Sequence, residues 1–183
     1  QKIITRLKSI GLNTINNIVD ITNLVMHELG QPLHAYDLDT IKSANIEIKT
    51  LNSGVSFTTL EGDDITLHED DLMVCDGDIP MCIAGVYGGK DHSVSKSTKT
   101  IFLESAFFNP ITVRKTAKRH NINTDSSYRF ERGVDINLVE YALKRAAALI
   151  VDDCKSEIIC DVIDEYPSKN EEKNIVINFE KID

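Results

Sequence analysis

No apolar run in this chain approaches the ~20 residues that a membrane-spanning helix requires, and no segment reads as a secretory signal. The expectation is a protein without a membrane partner, placed in the cytoplasm. Paired metal-ligand spacing is also missing. The four cysteines, Cys75, Cys82, Cys154 and Cys160, form no C-x-x-C pair, so they read as small buried hydrophobes of a reducing compartment rather than as zinc ligands. An excess of positive charge is lacking too. The formal net charge is −9, which excludes a broad basic face for RNA. Any contact with nucleic acid must then be local, or carried by a partner. Gly85, Gly88 and Gly89 lack both the P-loop spacing with its Lys-Ser/Thr end and the G-x-G-x-x-G pattern, which argues against a nucleotide loop. Internal repeats and low-complexity segments are absent.

The 183 residues, 42% of them hydrophobic, suffice for one full core, in one large domain or two small fused ones. Ile15 to Leu29 approximates helical spacing; Gly30 ends it and Pro32 prevents its resumption. Residues 37–41 lead out through a polar turn. The period then changes to two. Strands are expected over 45–51, 55–60, 65–68, 72–75, 80–86 and 100–106, with 61–64 as a hairpin turn and 76–78 as another turn. Helix returns from Asn109-Pro110 to about His120 and again from Leu138 to Cys154, the clearest helix in the chain, with Asp135 or Asn137 as its cap. Residues 156–163 read as a closing strand. The fold class expected is α+β, a central β structure of short strands flanked by helices.

Several residues stand out against this scaffold. Thr22 and Asn23 end a helical segment that the Gly30-Gln31-Pro32 turn could fold back on, and His34 follows that turn, so the three could line one pocket. His34 also reads as an ordinary structural histidine. Glu104 lies in an otherwise apolar strand, where alternation puts it on the face of Phe102, a costly place for a carboxylate unless it is paired, used, or at a solvent-facing edge. Gly88-Gly89 with Gly85 reads as a tight turn needing positive φ, or Ala84-Gly85 as bare backbone brought close to a ligand. Arg114, Lys115, Lys118 and Arg119 form a basic helix face in an acidic chain, either solvated or touching phosphate. Arg129, Glu131 and Arg132 around Phe130 suggest an ion-pair knot fixed by Gly133.

Six motifs occur in order: Asn17-Ile-Val-Asp-Ile-Thr22-Asn23-Leu-Val-Met26, Gly30-Gln-Pro-Leu-His34-Ala-Tyr-Asp37, Ala84-Gly-Val-Tyr-Gly-Gly89, Leu103-Glu-Ser-Ala-Phe-Phe108, Arg114-Lys-Thr-Ala-Lys-Arg-His120 and Ser127-Tyr-Arg-Phe-Glu-Arg-Gly-Val-Asp135. Together they resemble the editing domain, the third and fourth structural modules, of the bacterial phenylalanyl-tRNA synthetase β subunit. The resemblance covers about residues 10–165. It implies an editing domain over 1–167, a linker over 168–173 and the start of a further module over 174–183. It also implies hydrolysis of tyrosine wrongly esterified to the phenylalanine tRNA. The family's pocket falls here on His34, Thr22 and Asn23, which would hold the water or the ester, and on Glu104, Gly85 and Ala84, which would bind the amino acid. An arginine that precedes the V-D-x-T-N motif in some members is replaced here by Asn16-Asn17.

The partners implied are the acceptor end of tRNA(Phe) carrying a mischarged amino acid and the synthetase α subunit of a heterotetramer. No metal or cofactor is implied for these residues; Mg2+ and ATP are implied for the complete enzyme. Two other readings stay open at this stage: a non-catalytic module that joins domains or orients tRNA, and a free-standing relative acting on other aminoacyl esters.

Overall fold

A computed structural model describes residues 2–43, 45–167 and 175–177. The chain begins with helix α1 (Lys2–Ser9), helix α2 (Asn17–Leu29) and strand β1 (Leu33–Asp37), followed by a 3-10 turn at Leu38–Thr40. A run of short strands follows: β2 (Ile46–Thr50), β3 (Ser56–Thr58), β4 (Asp64–Thr66), β5 (Leu72–Asp76), β6 (Ile79–Ile83), β7 (Tyr87–Gly88) and β8 (Ile101–Ser105). Helices α3 (Pro110–Arg119) and α4 (Asp125–Phe130) come next, then a 3-10 turn at Ile136–Leu138 and the long helix α5 (Val139–Cys154). This is a mixed α+β architecture.

The helix ends follow from local chemistry. The Asn16 side chain accepts the Val19 N–H, while Gly30 closes α2 at φ 76° and donates its N–H to Met26 O. Only a residue without a Cβ adopts that left-handed cap cheaply. Asn109 accepts from Ile111 and Thr112 N–H ahead of Pro110, and Thr124 with Ser127 forms a reciprocal capping box on α4. Asp135 caps the 3-10 turn that leads into α5.

The strands form three antiparallel units: a β1–β8 ribbon, a four-stranded sheet in the order β2-β5-β6-β7, and the β3–β4 hairpin. The ribbon divides the interior. On one side α2 and α5 bring Ile18, Ile21, Val25, Ala142, Ala146 and Ile150 together, with Ala35, Leu33 and Leu103 packed against them. On the other, Tyr36 and Phe102 belong to the larger core of Phe57, Met73, Met81, Ile83, Phe108 and Phe130. Alternation along β1 and β8 therefore sends His34, Tyr36, Phe102 and Glu104 toward the sheet and their neighbours toward the helices.

Three elements depart from expectation. β1 occupies residues read only as a turn and its exit; its pairing partner is β8, far along the chain, so no local hairpin signal marks it. α1 and α4 were not anticipated because each is short and buries little, α1 only Leu7. The strand expected over 156–163 does not form. α5 ends at Lys155 in the left-handed conformation, and the segment beyond leaves the body with Ile158, Ile159 and Ile163 exposed and no ladder partner among the described residues. The 168–173 linker and most of 174–183 lie outside the described residues; Ile175, Val176 and Ile177 are exposed. Cys75 and Cys82 are buried as expected of small hydrophobes, whereas Cys160 is exposed.

Candidate functional site

The β1–β8 register sets His34 directly opposite Glu104, and Tyr36 opposite Phe102. On that shared face the Tyr36 hydroxyl donates to Glu104 Oε2 at 2.6 Å. The His34 ring meets Tyr36 edge-on with centroids 4.4 Å apart, and Phe102 lies 5.8 Å from Tyr36 on the other side. A carboxylate, an imidazole and a phenol thus converge in an apolar wall.

β7 closes over this group. A Cβ on Gly88 would stand 2.7 Å from His34 Cε1 and 3.2 Å from Nε2, so bare backbone at this position is what gives the imidazole its room. β6 approaches from beside it. The Cys82 thiol is pushed up by burial and then by the charge of Glu104, which places it in the same electrostatic neighbourhood as the Tyr36–Glu104 pair.

Two residues on, the chain turns through Ile83-Ala84-Gly85-Val86, with Val86 N–H donating to Ile83 O at 2.9 Å and Gly85 at φ 70°. This is the geometry of a type II turn, in which the third residue needs positive φ. Ala84 N–H is taken by Leu72 O. The space a Gly85 side chain would need is filled by Phe108, Phe130 and Val113, at 3.0–3.1 Å, so its Cβ direction faces core rather than ligand. α4 clips onto the turn: Thr124 Oγ1 donates to Val86 O at 2.9 Å and Ser126 Oγ to Gly85 O at 3.4 Å.

Thr22 and Asn23 sit on α2, which packs along β1. Thr22 is buried and donates its hydroxyl to Val19 O at 2.9 Å, a local bond within the helix. Asn23 is half-buried. No hydrogen bond links either of them to His34 or Glu104. The structure therefore brings His34 and Glu104 into one cluster with Tyr36, Cys82 and Gly88, carries Ala84-Gly85 on the adjoining turn, and leaves Thr22 and Asn23 on the neighbouring helix. α2 is also tied to α4, where Arg129 lies 3.2 Å from His27 Nδ1 while its other nitrogen holds Asp125.

Tyr36 and Gly88 were missed at the level of sequence. Tyr36 alternates with His34 and would have been found had β1 been recognised. Gly88 was seen only as a turn residue, because its contact with His34 is tertiary.

Electrostatics follow from burial. The Glu104 carboxyl is pushed up by desolvation, with the Tyr36 hydrogen bond pulling the other way. Tyr36 is pushed well above the ordinary phenol value by burial and by Cys82 and Glu104. His34 is lowered to about 4 by burial. At neutral pH the imidazole is uncharged, able to accept a proton or orient water. His34 also makes stability depend on pH. Its folded value lies below the unfolded one, so the unfolded chain binds the extra proton between about pH 6.5 and 4. The contribution is present above that window and lost as pH falls through it, on the order of 3 kcal/mol. Asp71 and Asp76, both lowered from 3.8, lose theirs at still lower pH. Urea midpoints measured across pH 4–7 should show a flatter profile for His34→Gln than for the parent. An unchanged slope would mean that the imidazole is solvated.

No group of His, Cys, Asp and Glu among the described residues is arranged to hold a metal ion. No helix among them is long and apolar enough to cross a membrane.

The B3/4 domain family matches residues 1–155. Phenylalanine--tRNA ligase beta subunits from Bacteroides fragilis and Porphyromonas gingivalis are 44% and 50% identical over 177 and 179 residues, 97% of this chain and 22% of theirs. The beta subunit from Bdellovibrio bacteriovorus is 50% identical over 163 residues, 89% of this chain and 20% of its own length. The chain thus spans about a fifth of the length of these curated relatives. Both the family match and this similarity run through the segments that carry His34, Glu104 and the Ala84-Gly85 turn: the chain belongs to the B3/4 domain family, in the region found in phenylalanine-tRNA ligase β subunits.

Proposed function

We propose that this domain hydrolyses the ester of tyrosine mischarged onto tRNA(Phe), with Glu104 reading the phenolic hydroxyl. The observation that carries the reading is a half-buried carboxylate set in an aromatic wall opposite an uncharged imidazole. Glu104 already receives one phenol, from Tyr36, on Oε2. Its Oε1 takes no hydrogen bond from the described protein and can receive a second. Phenylalanine in the same place leaves that oxygen unpaired, and a site built to bond a hydroxyl rejects the analogue lacking it. An aminoacyl ester is already activated, so hydrolysis needs chiefly a placed water and stabilisation of the oxyanion. His34 is the group to hold that water. Asn23, Thr22 and the Gly85 backbone are the groups to hold the ester and its amino group.

The wider setting belongs to the same proposal. The domain works within a β subunit that pairs with an α subunit, receives the acceptor end of tRNA(Phe), and resides in the cytoplasm. Mg2+ and ATP serve amino-acid activation elsewhere in that enzyme. The test needs no RNA: backbone amide resonances are followed while L-tyrosine and, separately, L-phenylalanine are added. Shifts at His34, Gly85 and Glu104 with tyrosine alone are expected. Equal shifts with both amino acids would overturn the role given to Glu104, and no shift with either would overturn a preformed amino-acid pocket in this chain.

A further inference from the structure

We infer that the outer face of α3 is the surface that grips the phosphates of the RNA strand, through Arg114, Lys115 and Lys118. This inference rests on the proposed function, because it takes the strand to lead out of the pocket beside this helix. The chain carries a net charge of −9, yet residues 110–132 hold Arg114, Lys115, Lys118, Arg119, Arg129 and Arg132 against only Asp125 and Glu131. Positive charge is thus concentrated in one stretch of an acidic protein.

The cations in this stretch differ in what they do. Arg119 is spent on Asp71 and Asp70, Arg129 on Asp125, and Arg132 on Glu131. Arg114, Lys115 and Lys118 are exposed and have no ion-pair partner among the described residues, although the chain has 29 carboxylates to offer. With Ile111 they occupy positions i, i+3, i+4 and i+7, a single stripe along the helix. Arg114 and Lys118 are a like-charge pair four residues apart, which weakens a helix unless an anion lies between them. The C-terminal dipole favours Lys118 but gives little to Arg114 and Lys115 in the middle of the helix. A scaffold alone gains nothing from this arrangement; a bound polyanion relieves it.

The stripe lies on the solvent side of α3, turned away from the core that this helix covers. The opposite side of the same helix presents Val113, whose Cγ2 lies 3.1 Å from where a Cβ on Gly85 would stand. The stripe is therefore about one helix diameter, roughly 10 Å, from the Ala84-Gly85 turn. Phosphate contact through exposed cations positions a strand without reading its sequence, which is what a domain needs when its selectivity lies in the amino acid. The patch is local, so it captures RNA weakly unless the rest of the molecule helps.

The test is the salt dependence of binding. A fluorescein-labelled single-stranded RNA dodecamer ending in CCA is titrated with the 183-residue chain by fluorescence anisotropy between 50 and 200 mM salt. The comparison protein carries Arg114→Gln, Lys115→Gln and Lys118→Gln together; these exposed positions accept glutamine without losing helix propensity, and circular dichroism checks the fold. Each phosphate neutralised on a single strand contributes a slope of about −0.7 in log K against log salt, so the triple variant should have a slope shallower by about 2. Over this salt range the parent should then lose roughly 20-fold more affinity than the variant. Lys144→Gln, on α5 and paired with Glu140, should leave the slope unchanged.

A triple variant with the parent's affinity and slope overturns the proposal. So does equal displacement of the RNA by polyglutamate, which would reassign the stripe to an acidic polypeptide. The triple variant should keep the amide shifts at His34, Gly85 and Glu104 with L-tyrosine, so failure of the pocket and failure of the phosphate surface are read independently.

Discussion

Glu104→Ala is expected to abolish the preference for tyrosyl over phenylalanyl esters while the fold survives. In the complete enzyme, the ratio of kcat/KM for deacylating the two aminoacyl-tRNAs should fall by about 10² to 10⁴. The loss should come from tyrosine, whose hydroxyl has lost its acceptor, rather than from a gain on phenylalanine alone. The substitution also removes the carboxylate that accepts from the Tyr36 hydroxyl at 2.6 Å, leaving that hydroxyl only the weak Cys82 thiol beside it. A buried unsatisfied hydroxyl costs about 1–3 kcal/mol, a sizeable share of a typical domain stability but not all of it. Glu104→Gln separates the two effects. Its amide oxygen still serves Tyr36, so stability should recover, whereas the weaker neutral acceptor should restore selectivity only in part. Unchanged discrimination in Glu104→Ala would remove Glu104 from recognition and leave it a purely structural partner of Tyr36.

A larger effect on stability is expected from Asp71→Ala. Asp71 is fully buried and sits just before β5. Its carboxylate accepts from Thr116 Oγ1 at 3.0 Å, from the His68 N–H at 2.8 Å, from His120 Nε2 at 2.6 Å and from Arg119. Three of these donors lie at or beside the C-terminal turn of α3, so one side chain pins that helix to the sheet. Burial pushes the Asp71 carboxyl up, but the bonds from His120, His68 and Thr116 outweigh it and the net shift is downward. Removing the carboxylate leaves Arg119 with only the exposed Asp70 and takes from Thr116, His120 and the His68 N–H their shared acceptor, a loss of about 3–5 kcal/mol by analogy with broken buried pairs. Urea unfolding should show the midpoint falling with little change in slope. A loss below about 1 kcal/mol would mean that water replaces the carboxylate, contrary to its burial. The sign with pH is set as well. The folded value is depressed, so the stabilisation is present above the ordinary carboxylate range and lost as pH falls through the folded value.

The two sites differ in how visible they were beforehand. Glu104 announced itself as a carboxylate in an apolar strand, and the alternation that puts it on the face of Phe102 is what the structure shows. His34 was singled out by its place after the Gly-Gln-Pro turn, but the strand it belongs to was read as a turn. Asp71 went unremarked. It lies in an ordinary polar stretch, and its donors His120, Thr116 and Arg119 come from 45 to 49 positions further along. Arg119 was grouped with the exposed basic face, and only its contact with Asp71 separates it from Arg114, Lys115 and Lys118. The ion-pair knot anticipated around Phe130 is present as Arg132 with Glu131, while Arg129 reaches instead to Asp125 and His27.

By itself the sequence determined the local elements and the charge balance. Helical spacing and the Gly30 stop define α2; alanine-rich periodicity defines α5; Glu61-Gly62-Asp63 makes the hairpin between β3 and β4. These rest on interactions within a few residues, so composition and period suffice to read them. Tertiary structure decided which side chains meet. Tyr36 finds Glu104 across 68 positions, and Gly88 makes room for His34. The segment over 156–163 has strand periodicity but pairs with no strand among the described residues and stays exposed. A strand is completed by its neighbour, and a buried polar pair by the face that excludes water from it; neither is a property of the residues that carry the pattern.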